Sequence, residues 1–457
     1  MVDLPKYLAR GERARLFPVL ADTSKEGRST SILLACLASV REFNQSMLSS
    51  IGQRVGKRAA VAAYTEVVFA AEHDKKAHRP DGLIVLRIGD REWRAFVETK
   101  VGNSKLNEEQ ITAYLNLAKT HGIDAVITVS NQFTSAPAQH PIKVPARARG
   151  KVDLYHWSWM YILTQADLLV SNDDIEDEDQ HFILNEMIRF LTHPSAGVKG
   201  FDSMPPAWTD VVQKVTAGAP LQAKSDEVQD VVAAWHQEVR DLTLILSRQI
   251  GVEVQTKLSR AHASDQAVRA KADAAQLAEA QCLTATLVVP DAAAPIELSV
   301  DIGKRTISAS MMLRAPSDKQ STKARLNWLL RQLKKAPETD LYVRLHWPGR
   351  GAHTQHTLAE LRENPDLASE NHRDKQAHSF EICMLRQLAG RFAQRKNFIA
   401  DVEQAVPAFY ETVGQHLRAY QSPAPRIRED RSDPDSVTRE GLQRDAEEET
   451  NVERGEP

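Results

Sequence analysis

The sequence predicts an α/β (α+β) multidomain protein, with an αβββαβ core at the N-terminal end, a second α+β domain after it, and a disordered acidic tail. Three observations carry this expectation. At 457 residues the chain is too long for one ordinary domain and long enough for two or three with cores of their own. The apolar spacing switches between steps of three or four and strict alternation, so helices and strands are interleaved. Composition also changes: 42% of all residues are hydrophobic, yet Gln421 to Pro457 is rich in Pro, Asp, Glu and Arg with almost nothing apolar, which no core can hold.

Ile32, Leu33, Cys36, Leu37, Val40, Phe43 and Met47 repeat at three and four, predicting one amphipathic helix from Ser29 to about Ser50. Glu66 to Ala70 is a short apolar run with two valines. Gly82 to Ile88 and Trp93 to Thr99 read as strands, and Gly89-Asp90 supplies the turn that joins them in a hairpin. Asn107 opens a helix with the face Ile111, Tyr114, Leu115 and Ala118, which stops at Gly122, and Ala125 to Val129 makes another strand. Tyr155 to Trp157 adds a strand, and Met160 to Leu169 and Phe182 to Leu191 add helices.

The proline-rich stretch Pro194 to Pro206 marks a boundary. Beyond it, the stripe Val228, Val231, Val232, Trp235, Val239, Leu242, Leu246 and Ile250 is helical, followed by an alanine-rich segment from Ala261 to Ala280. Residues 222–280 thus offer either core packing or a seam for a homodimer or a partner protein. Strands at Thr284–Val289, Ile296–Val300, Thr306–Leu313, Leu341–His346 and Ser379–Leu385, with helices at Lys323–Leu333 and Ile399–Tyr420, make the second α+β domain. The division is a domain of residues 1–210 with a helical extension, a helical connector 211–280, an accessory domain 281–420 and the tail 421–457.

Cys36, Cys282 and Cys383 lie far apart with no CxxC pair, which excludes a disulfide framework and a zinc ribbon and fits a reducing cytoplasm. The charge-free stretch Ser29 to Val40 is shorter than the ~20 residues of a membrane span. The start, with Asp3, Lys6, Arg10, Glu12, Arg13 and Arg15, is not a secretory signal. Net charge is −3 overall, but residues 1–150 carry +7 and the last 37 carry −5, so a polyanionic partner fits the N-terminal region as well as a mixed solvated surface does. Gly52, Gly56 and Lys57 miss the phosphate-loop spacing, and Arg58 stands where Ser or Thr would hold magnesium, so no NTPase site is expected.

Alternation puts Glu98 and Lys100 on one face at the end of their strand, with Thr99 on the other. In the hairpin the start of the first strand lies opposite the end of the second, so Asp81 meets Glu98. Two carboxylates at a sheet edge repel unless a cation lies between them, and hard oxygen donors suit Mg2+ or Mn2+. With Lys100 to position a water, that constellation suits hydrolysis of phosphodiesters.

Pro80-Asp81, Glu98-x-Lys100 and the order helix, three strands, helix, strand resemble the PD-(D/E)xK nuclease superfamily, with its restriction-endonuclease-like core, over roughly residues 27–130. Gln110-Ile-Thr-Ala-Tyr114 is similar to the QxxxY element of the RecB-like and lambda-exonuclease-like branch. The resemblance implies a metal-dependent nuclease in which Asp81 and Glu98, with the Thr99 carbonyl and Glu66 assisting, hold Mg2+ or Mn2+. Lys100 would orient the attacking water, and Gln110 and Tyr114 would hold the nucleic acid, DNA rather than RNA. His73 and His78 stand behind Glu66 as candidates for the upstream ligand. By analogy it also implies DNA processing or defence against foreign nucleic acid. There is no helicase motor and no cysteine set for an iron-sulfur cluster, so ATP-driven degradation is not expected.

The same residues admit plainer readings. Glu98 and Lys100 can be a strand-edge ion pair, Asp81-Gly82 a turn, Gln110 the capping partner of Asn107, and Tyr114 a core residue. A silent binding or assembly module with the same fold is the alternative function. His353-Thr-Gln-His356, with His346, His372 and His378, lacks a nearby acid or cysteine and reads as a polar loop. Lys323, Arg325, Arg331, Lys334 and Lys335 suit a nucleic-acid backbone or an ordinary helix surface.

Overall fold

The apolar repeat from Ile32 to Met47 folds as two helices, α1 (Lys25–Ser39) and α2 (Arg41–Ser49), because Val40 between them is extended, with φ −104° and ψ 112°. Their apolar faces still join one core, so the periodicity survives the break. The computed structural model describes residues 5–17, 25–69, 79–349, 353–370, 372 and 374–421. Among these it is a mixed α+β structure with 13 α-helices and two sheets. The described residues up to Tyr420 form one compact unit. The expected tail beyond Gln421 lies outside the described residues, as do His73 and His78.

The first sheet runs in chain order: β1 (Leu8–Arg13), β2 (Ala59–Phe69), β3 (Gly82–Ile88), β4 (Arg91–Thr99), β5 (Ala125–Ser130) and β6 (Asp153–Ser158). The first four are antiparallel, and β4–β5 and β5–β6 are parallel. Gly89, at φ 60°, turns the β3–β4 hairpin where the Gly-Asp pair predicts it. A parallel β4–β5 pair needs a crossover, supplied by α3 (Glu108–His121). Asn107 caps it by accepting from Glu109 N and Gln110 N, and Gly122 ends it in the left-handed region at φ 63°.

Alternation along the central strands feeds two cores. Ile84, Leu86, Ala95, Val97 and Ile127 pack with α1, α2, α5 (Trp159–Ser171) and α6 (Glu178–Thr192). Leu83, Val85, Phe96 and Val126 pack with Ile111, Tyr114 and Leu115 of α3 on the other face. The short helix between β5 and β6 is α4 (Ala146–Arg149). A sheet covered on both faces explains why β3, β4 and β5 read as nearly continuous apolar runs.

The second sheet is antiparallel, in the order β12-β11-β13-β10-β9-β8-β7. Its strands are β7 (Gln255–Thr256), β8 (Cys282–Val288), β9 (Ile296–Asp301), β10 (Thr306–Arg314), β11 (Leu341–His346), β12 (Thr354–Thr357) and β13 (Ser379–Gln387). The helices of this half are α7 (Ala207–Thr216), α8 (Asp226–Ile250), α9 (Arg260–Ser264), α10 (Gln266–Ala280), α11 (Thr322–Gln332), α12 (Leu358–Glu363) and α13 (Arg395–Thr412). The stripe of α8 is buried inside the chain: Val231, Trp235, Val239 and Leu242 share a core with this sheet, while Leu244 joins the core of the first. The basic helix α11 buries Leu326 and Leu329, Lys323 pairs with Asp366, and Arg325 donates to the carbonyls of Lys319 and Ala377.

Candidate active site

The hairpin register sets up the site. Gly82 pairs with Val97, so one step further Asp81 comes opposite Glu98. Asp81 Oδ2 accepts the Thr99 amide at 2.8 Å and lies 3.1 Å from the Thr99 hydroxyl. That hydroxyl is 2.6 Å from Thr30 Oγ1 on α1, and Thr30 donates to the Glu26 carbonyl at 2.8 Å. The first turn of α1 is thereby tied to the end of β4.

Glu98 is 2% exposed. Its Oε1 accepts from Lys100 Nζ at 2.7 Å and from Gln110 Nε2 at 2.8 Å. Its Oε2 is buried without a hydrogen-bond partner. Lys100 Nζ also reaches Glu26 Oε2 at 3.4 Å. The Lys100 backbone is pinned on both sides, its amide to the Val129 carbonyl at 2.8 Å and its carbonyl by Trp159 Nε1 at 2.9 Å. On α3, Gln110 and Tyr114 share a face at i and i+4. Gln110 Nε2 lies 3.0 Å from the Tyr114 hydroxyl, which donates to the Arg79 carbonyl at 2.9 Å.

Electrostatics follow from burial. Asp81 is pushed up to about 7, first by burial and then by the charge of Glu98, against the opposing Thr99 hydrogen bonds and Lys100. Burial works against the Lys100 ammonium, but its hydrogen bond to Glu98 and the charges of Glu98, Glu26 and Asp81 hold its pKa above the ordinary value. Burial, with the Glu98 charge behind it, keeps the Tyr114 phenol protonated well above its usual range.

Of the residues expected from sequence, Asp81, Glu98, Thr99, Lys100, Gln110 and Tyr114 are brought together. Gln110 takes part in the cap only through its amide: its side chain goes to Glu98 and Tyr114. Tyr114 is 2% exposed and belongs to the α3 core, while Gln110 is half-buried beside Glu98. Glu66 lies on the neighbouring strand β2. It stands one step past the Thr65–Gly82 pair, beside Asp81 in the backbone, but its φ of 55° makes a bulge and its side chain is exposed. It takes no part in the bonds described above. A further carboxylate at Lys100 is Glu26, in the first turn of α1. Its signal in the sequence is an acidic first turn immediately before the apolar stripe, hidden when the helix is begun at Ser29.

Next to Glu98 the sheet continues as Thr128 and His156, paired across β4, β5 and β6. The Thr128 hydroxyl lies 2.8 Å from His156 Nδ1 and 2.9 Å from His140 Nε2. His156 Nε2 is 2.9 Å from the Gln132 carbonyl, and Ile142 N donates to His140 Nδ1 at 3.1 Å. These links are all satisfied with both imidazoles neutral, His156 donating to Gln132 and accepting from Thr128, and His140 donating to Thr128. Burial is the first cause that lowers both, His156 to about 3 and His140 to about 4. Groups whose folded pKa is depressed contribute stability that is full above their unfolded value near 6.5 and is lost as pH falls through the folded value. Acid is therefore expected to cost wild type on the order of 3 kcal/mol at pH 4 through His156. Urea midpoints measured from pH 7 to pH 4 check this: the slope flattens in His156→Gln, and an unchanged slope refutes the assignment.

Among the described residues, no three His, Cys, Asp or Glu side chains are already gathered closely enough to hold a metal ion. The partnerless Glu98 Oε2, with the half-buried Asp81 carboxylate across the hairpin, nevertheless fits a hard cation held by Asp81 and Glu98. No family model matches the chain, and no curated protein or solved structure matches it.

Proposed function

We propose that the chain is a metal-dependent nuclease that hydrolyses nucleic-acid phosphodiester bonds, with DNA as the preferred substrate and Mg2+ or Mn2+ as the cofactor. The observation that carries this reading is the pair of half-buried Asp81 and buried Glu98 across the hairpin, with one Glu98 oxygen left without a donor and Lys100 on the same face. The element order α1, α2, β2, β3, β4, α3, β5 supports the likeness to the PD-(D/E)xK core.

When bound, the ion would lower the pKa of a water and offset charge on the phosphorane-like transition state. Asp81 and Glu98 would hold it, with Glu26 as the nearest further carboxylate. Lys100 stays an ammonium and acts as a donor that orients the attacking water. Gln110 fixes the Glu98 carboxylate, and Tyr114 fixes Gln110 while anchoring the chain at Arg79. Thr99 clamps Asp81 through its amide.

The test is incubation of the full chain with linear and circular, single- and double-stranded DNA and with RNA, in Mg2+, Mn2+ or EDTA. Cleavage of DNA that needs the ion is expected, and resistance of circles marks an end-dependent enzyme. Salt-sensitive binding in EDTA without any product under either ion replaces the enzyme with a silent binding module.

A further inference from the structure

The histidines near residue 350 find in space the acid they lack in sequence. Arg344 of β11 pairs with Glu381 of β13, and His346 with Ser379, so His346 and Glu381 are diagonal neighbours on one face of the second sheet. Val343, Leu345, Phe380 and Ile382 face the core instead. His353 immediately precedes β12, whose Thr354 pairs with Leu345, which brings it beside His346. The two imidazole centroids are 5.5 Å apart, and His346 Nε2 is 3.4 Å from Glu381 Oε2. The other carboxylate oxygen is held by Arg344 Nη1 at 2.9 Å.

His346 and Glu381 already stand at the spacing of two ligands of a tetrahedral metal, and His353 has to turn to join them. Zinc takes histidine nitrogen at about 2.0–2.1 Å and carboxylate oxygen at about 2.0–2.2 Å, so two such donors stand roughly 3.3–3.5 Å apart and two imidazole centroids roughly 5.3 Å apart. We propose that His346, His353 and Glu381 bind one Zn2+ on the outer face of the second sheet, with the fourth position open to water. Arg344 orients the carboxylate as an outer partner, the usual support for a metal-binding acid. His353 is exposed and can turn to close the three donors on one point. His378, with its centroid 6.4 Å from that of His346 and Nδ1 on Ser379 Oγ, is not a ligand. Nor is His372, which stacks on Trp347 at 4.3 Å. The ion would cross-link edge strand β12 to β13, a structural role separate from the site around Glu98.

Calorimetric titration of the metal-free full chain with Zn2+ tests this, with Co2+ absorption as a report of tetrahedral geometry. On the Asp81→Asn background, which removes the carboxylate pair of the first sheet, one equivalent is expected to bind, and at least about tenfold more weakly when His346→Ala or His353→Ala is added, with added His372→Ala unchanged. Circular dichroism of each variant reports its folding. Absence of zinc binding in Asp81→Asn, or equal affinity in folded His346→Ala and His353→Ala, overturns the proposal.

Discussion

Asp81→Asn is expected to lower ion-dependent cleavage by at least about 10²-fold to 10³-fold while leaving the protein as stable as wild type or more so. The two effects have one cause. Asp81 is a half-buried carboxylate across the hairpin from Glu98, and desolvation and the Glu98 charge push its pKa up to about 7. Asparagine keeps the shape and can still accept the Thr99 amide, but it removes an anion that the fold tolerates poorly without a cation. Loss of activity with retained stability therefore separates chemistry from folding. Lys100→Ala gives the contrasting result. It removes the ammonium bonded to Glu98 and leaves that carboxylate buried beside Asp81 with its charge uncompensated, a change worth about 3–5 kcal/mol in comparable buried pairs. Cleavage rates and denaturant midpoints on both variants measure this. Full activity in a folded Asp81→Asn protein would remove the carboxylate pair from the mechanism.

Glu238→Gln is expected to raise the melting temperature by several degrees at pH 8 and to leave it nearly unchanged at pH 4.5. Glu238 lies on α8 with no exposed surface, and neither of its carboxylate oxygens has a hydrogen-bond partner. Burial, then the charges of Glu403 on α13 and Asp241 one turn along α8, hold its pKa well above the carboxylate range. The arginines of the same helix face elsewhere, Arg240 over the Tyr161 ring and Arg248 donating to the Thr164 hydroxyl. The sign follows from linkage: below the ordinary carboxylate value both states are protonated, and as pH rises the unfolded chain releases its proton first. Stability is thus lost as pH climbs through the folded pKa, and a glutamine, with no proton to lose, escapes that loss. Thermal melts across pH 4.5 to 8.5 decide it. Equal destabilisation of the variant at both ends would mean that the amide disrupts packing and that the charge is not what costs stability.

The hairpin and the helix after it were legible because their determinants are local. Gly89-Asp90 between two apolar runs, Asn107 before an acidic first turn and Gly122 at a left-handed position each act within a few residues. Strands β1 and the first half of β2 were not. Ala59 to Ala63 is four alanines, of low strand propensity, around the single Val61, and Leu8 to Arg13 is a charged edge strand whose pairing with β2 is irregular, so neither shows an apolar alternation.

The pairing of Asp81 with Glu98 and the shared face of Glu98 and Lys100 were written in the order of residues, because strand alternation and a two-residue turn leave one register. Folding across the chain settled the rest. Glu66 sits at a bulge with its side chain exposed, and Glu26, 74 positions from Lys100, is what reaches that lysine. Likewise Glu381 arrives beside His346 across a β-ladder, from 35 positions away. Periodicity assigns a side chain to a face, but which faces meet depends on packing between segments far apart in the chain, and no local pattern encodes that.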